Sequence, residues 1–169
     1  MEKKIRRYFL ELKDMDLKKL NTKISEPFKI FLDNKKDFKI NKFFYKQIGR
    51  EHYWRDRLLW SDSEWLKYAS NANLETWILS KGDDLVGFYE QEYHHDINEV
   101  ELINMGVLKE HRGNKLGSAL LNHSIASAFK KKPKRMWVHT CSLDHRYALQ
   151  NYRSKGFKVF KEEEINFVA

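Results

Sequence analysis

The residues of this chain best suited to a definite chemistry stand together in HRGNKLG, residues 111 to 117, directly before an amphipathic helix pattern. Glycine lets a backbone come close to a ligand and take positive φ, and the first turn of a helix carries N–H groups without partners. A turn of this kind can hold a phosphate, because the helix macrodipole adds positive potential at the same point. Arg112 and Lys115 are cations where a helix start ordinarily favours acids, which fits an anion supplied from outside. HRGNKLGS has neither the GxxxxGKS/T nor the GxGxxG spacing, so the two common nucleotide-binding turns are excluded. A plain glycine turn at a helix start is the simpler alternative for so short a motif.

To present that turn, the chain must supply a strand before it and a sheet beneath the helix. EVELINMGVL, residues 99 to 108, has the mixed polar and apolar pattern of a central antiparallel strand. The helix, from about 114 to 129, places Leu116, Leu120, Leu121, Ser124, Ile125, Ala128 and Phe129 on one side, and KKKPKR breaks it. RMWVHTC, 135 to 141, reads as a buried strand. This strand, helix, strand unit implies one parallel pair in an otherwise antiparallel sheet. Upstream, residues 3 to 12 look like a first strand, Asp14 or Asp16 caps a short helix, and residues 22 to 39 are ambiguous. Two helical segments fall within 40 to 72, the second starting at Ser61 or Ser63 with Glu64 in its first turn. LETWILS, the turn KGDD and LVGFYEQEYHH read as a hairpin, followed by a turn at 96 to 98. Downstream, Asp144 is expected to cap a helix running to Gly156, and FKVFKEEEINFV supplies one strand or a pair. The expected fold is α/β (α+β): a mixed, mostly antiparallel central sheet of about six to seven strands flanked by helices.

A length of 169 residues fits a single domain, residues 1 to 169, with a core large enough to need no staples. Lys and Arg outnumber Asp and Glu by 32 to 24, and the resulting +8 suits an anionic ligand, a nucleic acid or a merely basic surface. One cysteine, Cys141, excludes an internal disulfide framework and a multi-thiolate zinc site, which suits the cytoplasm. His94 and His95 are neighbours in a strand and so point to opposite faces, and no metal is expected. The N-terminal MEKKIRRYFLELKDMD lacks a signal-peptide core, and no apolar run of about 18 residues occurs, so no membrane partner is expected.

Strand, RGNKLG, an apolar helix with small residues Ser118 and Ala119, a strand, and then ALQNYRSKGF is similar to the GNAT superfamily of acetyl-coenzyme A dependent N-acetyltransferases. The resemblance covers residues 74 to 160; WRDRLLWSD and WVHTCSLDH further resemble an uncharacterised bacterial subgroup of these enzymes. The family signature is Arg or Gln, two residues, Gly, one residue, Gly or Ala. Arg112 and Gly117 match its ends, and Lys115 replaces its first glycine, which is acceptable if residue 115 is already helical. The resemblance implies acceptor-side helices at about 14 to 72, a coenzyme core at about 74 to 160, and acetyl-coenzyme A as co-substrate without a metal. The N–H groups of residues 113 to 118 then cradle the pyrophosphate, with Arg112 and Lys115 adding charge. The expected coenzyme contacts are Met105, Val107, Leu108, Arg112, Gly113, Asn114, Lys115, Leu116, Gly117, Ser118, His145, Ala148, Asn151, Tyr152 and Lys155. His145 stands where the family commonly has asparagine.

The same resemblance implies the chemistry. A primary amine attacks the thioester directly; an alkylamine of pKa near 10.4 is almost wholly protonated at neutral pH, so a base helps. Glu101 matches the position of a family glutamate base, with Glu90 and Glu92 as alternatives. Backbone amides at Met105 to Val107, freed by a bulge and by splaying of the strand, face the oxyanion, and Tyr152 is the general acid for the departing thiolate. Cys141 reads as an inert buried thiol. The aromatic stretch 43 to 68 walls the acceptor side, where Trp54, Asp56 and His139 are expected to meet a small-molecule or protein amine. Dimers are common in the family, which leaves a homodimer open. Two rival readings remain from sequence: a basic nucleic-acid binder, on the strength of KKKPKR and the net charge, and a coenzyme-binding regulatory domain without catalysis.

Overall fold

The computed structural model describes residues 2–168. The first strand, Glu2–Leu12 (β1), buries Ile5, Leu10 and Leu12, and Asp16 caps a short 3-10 turn at Leu17–Lys19 by accepting from the Lys18 N–H at 3.1 Å. The ambiguous stretch that follows contains a five-residue strand, Phe28–Leu32 (β2), at an edge of the sheet. Next come helices Lys39–His52 (α1) and Asp62–Ala69 (α2). Ser61 starts α2 with a capping box: its Oγ accepts from the Glu64 N–H at 3.2 Å while the Glu64 carboxylate accepts from the Ser61 N–H at 2.8 Å. Strands Leu74–Lys81 (β3) and Asp84–His94 (β4) form the expected hairpin, followed by Glu99–Val107 (β5). Helix Leu116–Phe129 (α3), strand Arg135–Cys141 (β6), helix Ala148–Ser154 (α4) and one long strand, Lys158–Val168 (β7), complete the order. Among the described residues, no helix is long and apolar enough to cross a membrane.

The seven strands lie in the order β2-β3-β4-β5-β6-β1-β7. Only β5 and β6 run parallel, as the strand, helix, strand unit requires; every other neighbouring pair is antiparallel. Helices cover both faces. On one, Leu120, Leu121, Ile125 and Ala128 of α3 pack against Tyr89, Leu102, Met136 and Val138. On the other, Phe44 and Ile48 of α1 meet Ile78, Phe88 and Leu108, with the Phe44 and Phe88 rings stacked at 4.8 Å. Each such buried side chain contributes about 1.5–3 kcal/mol, which fixes both helices over the centre of the sheet.

Two local features differ from expectation. Asp144 does not cap α4, which starts from Tyr147; instead it closes the turn after β6, accepting from the Cys141 N–H at 3.0 Å and the Thr140 hydroxyl at 2.6 Å. The bulge in β5 lies at Ile103 rather than at Met105 to Val107, because the register passes from Gln91↔Leu102 to Glu90↔Asn104. Gly106 serves a close approach: a Cβ there would stand 2.8 Å from Ile48 of α1.

Candidate active site

β5 and β6 pair only from Glu99↔Arg135 to Leu102↔Val138, although β5 continues to Val107 and β6 to Cys141. Beyond that point the strands splay, and the opening is part of a cleft of about 1230 Å³. Its walls come from α1 and the loop after it, β5, the turn into α3, β6 and α4, with β1 and β7 at one end.

At the α3 end, Gly113 and Lys115 to Ser118 line the cleft. The start of α3 has no side-chain cap and no acidic residue in its first turn, in contrast to the capping box of α2. The first backbone bond of the helix is from the Ala119 N–H to the Lys115 carbonyl at 3.1 Å, so the N–H groups of Leu116, Gly117 and Ser118 stand in the orphan first turn. A Cβ on Gly117 would meet nothing within 4 Å. The cradle is therefore open, uncapped and electropositive, which suits an anionic ligand.

Lys115 is not helical. It is the N-cap of α3 in the left-handed region, φ 57 and ψ 23, a conformation that glycine adopts at no steric cost. For lysine the same conformation costs roughly 1 kcal/mol. Lys115→Gly is accordingly expected to raise the unfolding midpoint by about 2–4 °C while weakening affinity for a phosphate ligand, since strain and a cation are lost together. Thermal unfolding with and without ligand reads both effects; a lowered midpoint would contradict the strain.

Arg112 also lines the cleft, beside the turn. Its Nε donates to the Val107 carbonyl at 3.1 Å and its Nη1 to Glu51 of α1 at 2.6 Å, so the guanidinium ties the turn to α1. The Arg112 bond in turn holds the Glu51 carboxyl below its usual range.

Of the remaining expected coenzyme contacts, Met105 and Val107 line the cleft from β5, and His145, Ala148, Asn151 and Tyr152 line it from the other wall. Leu108 instead packs in the core beneath α1, and Asn114 and Lys155 lie off the wall. The Tyr152 side chain is buried between the cleft and Phe157, ring centroids 5.8 Å apart. Burial, and then the charge of Asp144, push its phenol well above the ordinary tyrosine value, so it holds its proton throughout the neutral range.

Trp54, Asp56 and His139 line the same cleft, where the Trp54 Nε1–H donates to Asp144 at 3.3 Å. Sequence reading missed several neighbours here. Arg57 is buried beneath Tyr45, Trp60, Trp65 and Tyr68, its guanidinium 4.1 Å from the Tyr68 ring centroid, and pairs with Glu90 at 3.3 Å. Glu90 is wholly buried and also accepts from Asn41 at 2.6 Å and from Asn104 at 2.9 Å. That network fastens the acceptor-side loop to β5, and it commits Glu90 to structure. Ile5 and Arg7 of β1 and Asn166 to Val168 of β7 also reach the cleft, where Arg55 stacks on Phe167 at 4.6 Å.

Glu101 lies off the cleft wall, one register position before the last β5–β6 pair. It is half-buried and bonded to His94 at 3.2 Å, and burial raises its carboxyl above the usual range. His94 and His95 turn to different partners, His95 to Asn73 at 2.9 Å. Cys141 is half-buried on the wall rather than enclosed in the core; burial and Asp144 push its thiol up, which keeps it protonated and a poor nucleophile. In KKKPKR, Lys131 pairs with Glu75 and Arg135 with both Glu11 and Glu99, so part of the run's charge is neutralised by the fold.

A family model described as acetyltransferase (GNAT) family matches residues 38–157. No curated protein matches the chain. Among solved structures, the fold matches an aminoglycoside acetyltransferase from an uncultured soil metagenomic sample, in complex with trehalose, at TM-score 0.65 and 14% identity over 79% of this chain and 90% of that one. A GCN5-related N-acetyltransferase from Sphaerobacter thermophilus matches at TM-score 0.71 and 12% identity; 96% of this chain is covered but only 51% of that one. The ribosomal-protein-S18-alanine N-acetyltransferase from Escherichia coli matches at TM-score 0.59 and 21% identity, over 78% and 77% of the two chains. At these identities the likeness establishes the fold.

Proposed function

Because the chain belongs to the acetyltransferase (GNAT) family and is an N-acetyltransferase, we propose that it moves an acetyl group from acetyl-coenzyme A to a primary amine by direct attack in a ternary complex. The observation that carries this reading is the splay of β5 from β6, which leads into the uncapped start of α3. An extended thioester fits the splay, and its pyrophosphate fits the N–H groups of Leu116, Gly117 and Ser118, with Lys115 adding a cation. Each charge-assisted bond contributes roughly 1.5–3 kcal/mol.

In this mechanism the amine enters from the end walled by Trp54, Asp56 and His139. Trp54 presents an aromatic face and Asp56 a carboxylate, a pairing that attracts an alkylammonium. Glu101 receives the amine proton through water, since it stands off the wall. The new N–C bond forms as the C–S bond breaks, and the coenzyme thiolate takes its proton from the Tyr152 hydroxyl, which solvent later restores. The protonated state of Cys141 favours this direct transfer over an acyl-enzyme.

Calorimetry with acetyl-coenzyme A, followed by an amine screen that detects released thiol, tests the reading. Binding with amine-dependent thiol release is expected. Binding with no release for any amine would leave a regulatory coenzyme binder, and absence of binding would remove the coenzyme assignment.

A further inference from the structure

On the sheet face that carries α1, Glu92 of β4 lies directly opposite Glu101 of β5. Carboxylates opposed in this way repel each other, and these side chains are only 21% and 19% exposed. His94 bridges them: its Nδ1 is 3.3 Å from Glu92 and its Nε2 is 3.2 Å from Glu101, and the polar atoms of all three lie within 4.8 Å of one another. A carboxylate oxygen accepts only, and a neutral imidazole has a single N–H. An N–H on Nε2 donates to Glu101, and Nδ1 stands beside Glu92.

The triad shares its sheet face with a residue of the cleft. Glu90 and Glu92 share a face of β4, and their register partners Asn104 and Glu101 share the same face of β5, across the bulge at Ile103. Asn104 lines the cleft. The surrounding charges are accounted for. Glu99, opposite His94 in register, is bonded to Arg135 of β6 at 2.8 Å, Arg57 of the acceptor-side loop is paired with Glu90, and Asn71 holds the other oxygen of Glu92 at 2.5 Å. His94 is thus the hydrogen-bond donor in contact with Glu101.

We propose that His94 is a positioning residue for acetyl transfer, holding Glu101 ionised and oriented beside the splay so that it takes the amine proton near neutral pH. This rests on the reading of Glu101 as base. Burial raises the Glu101 carboxyl, and the hydrogen bond and charge of His94 act in the opposite direction. Removing the imidazole donor therefore makes Glu101 keep its proton to higher pH, and the acid limb of the rate profile moves upward.

The test is the pH profile of kcat/KM for wild type, H94Q, H94K, E101Q and the H94Q/E101Q pair. In H94Q the acid limb is expected to rise by about one pH unit or more, with the rate above the limb close to wild type. H94K restores a strong donor and moves the limb back. E101Q lowers the rate at least about tenfold, and adding H94Q to it changes nothing further. A rate lowered equally at every pH in H94Q, or a profile identical to wild type, would overturn the role of His94. An E101Q enzyme with wild-type rate and profile would remove the Glu101 assignment, and this inference with it.

Discussion

Tyr152→Phe is expected to lower kcat by about 100- to 10,000-fold while affinity for acetyl-coenzyme A stays within about twofold. The hydroxyl is the only atom lost, and the ring remains seated against Phe157, so fold and cleft shape persist. What disappears is the proton proposed for the departing thiolate. A thiol near pKa 8.5 is not a desperately poor leaving group in water, but inside a cleft its anion is poorly solvated, and a positioned donor then becomes decisive. The phenol is held above its ordinary value by burial and by the charge of Asp144, which guarantees that the donor is charged with its proton wherever the amine is reactive. Pre-steady-state measurement of thiol release separates the chemical step from coenzyme binding. An unchanged rate in the phenylalanine variant would take Tyr152 out of the mechanism.

The parts of the fold legible in the sequence are those encoded locally. The apolar spacing of α3 is written in consecutive turns, and the capping box at Ser61 and Glu64 is visible because its two halves are three residues apart. The position of β1 is not. Its residues mark a strand, yet nothing in residues 2 to 12 states that it lies between β6 and β7, because pairs such as Arg7↔Cys141 join residues far apart in the chain. The cleft wall supplied by Ile5, Arg7 and Phe167 was therefore out of reach, and it also lies outside the 38–157 family match. Glu90 shows a second limit: a glutamate in a strand ordinarily faces solvent, and this one is buried only because Asn41, Arg57 and Asn104 arrive from three other segments. Lys115 shows a third, since a lysine carries no signal for positive φ and its conformation is set by the turn around it.

Gly117→Trp is expected to weaken acetyl-coenzyme A binding by roughly 100- to 10,000-fold without unfolding the protein. The structural basis for retained folding is that a Cβ at this position meets no atom within 4 Å, and a helix position accepts any residue other than proline at least as well as glycine. The basis for lost binding is the same empty space: it borders the cleft at the orphan N–H groups of α3, where the phosphates are proposed to sit. An indole there excludes them from two or more backbone donors, each contributing roughly 1.5–3 kcal/mol. Gly117→Ala is the control, because a methyl group projects little into the cleft and should cost at most about tenfold. Calorimetry reads affinity, and circular dichroism with thermal unfolding reads the fold. If the tryptophan variant stays folded and binds the coenzyme as wild type does, the anion lies elsewhere in the cleft, and the uncapped start of α3 is not its cradle.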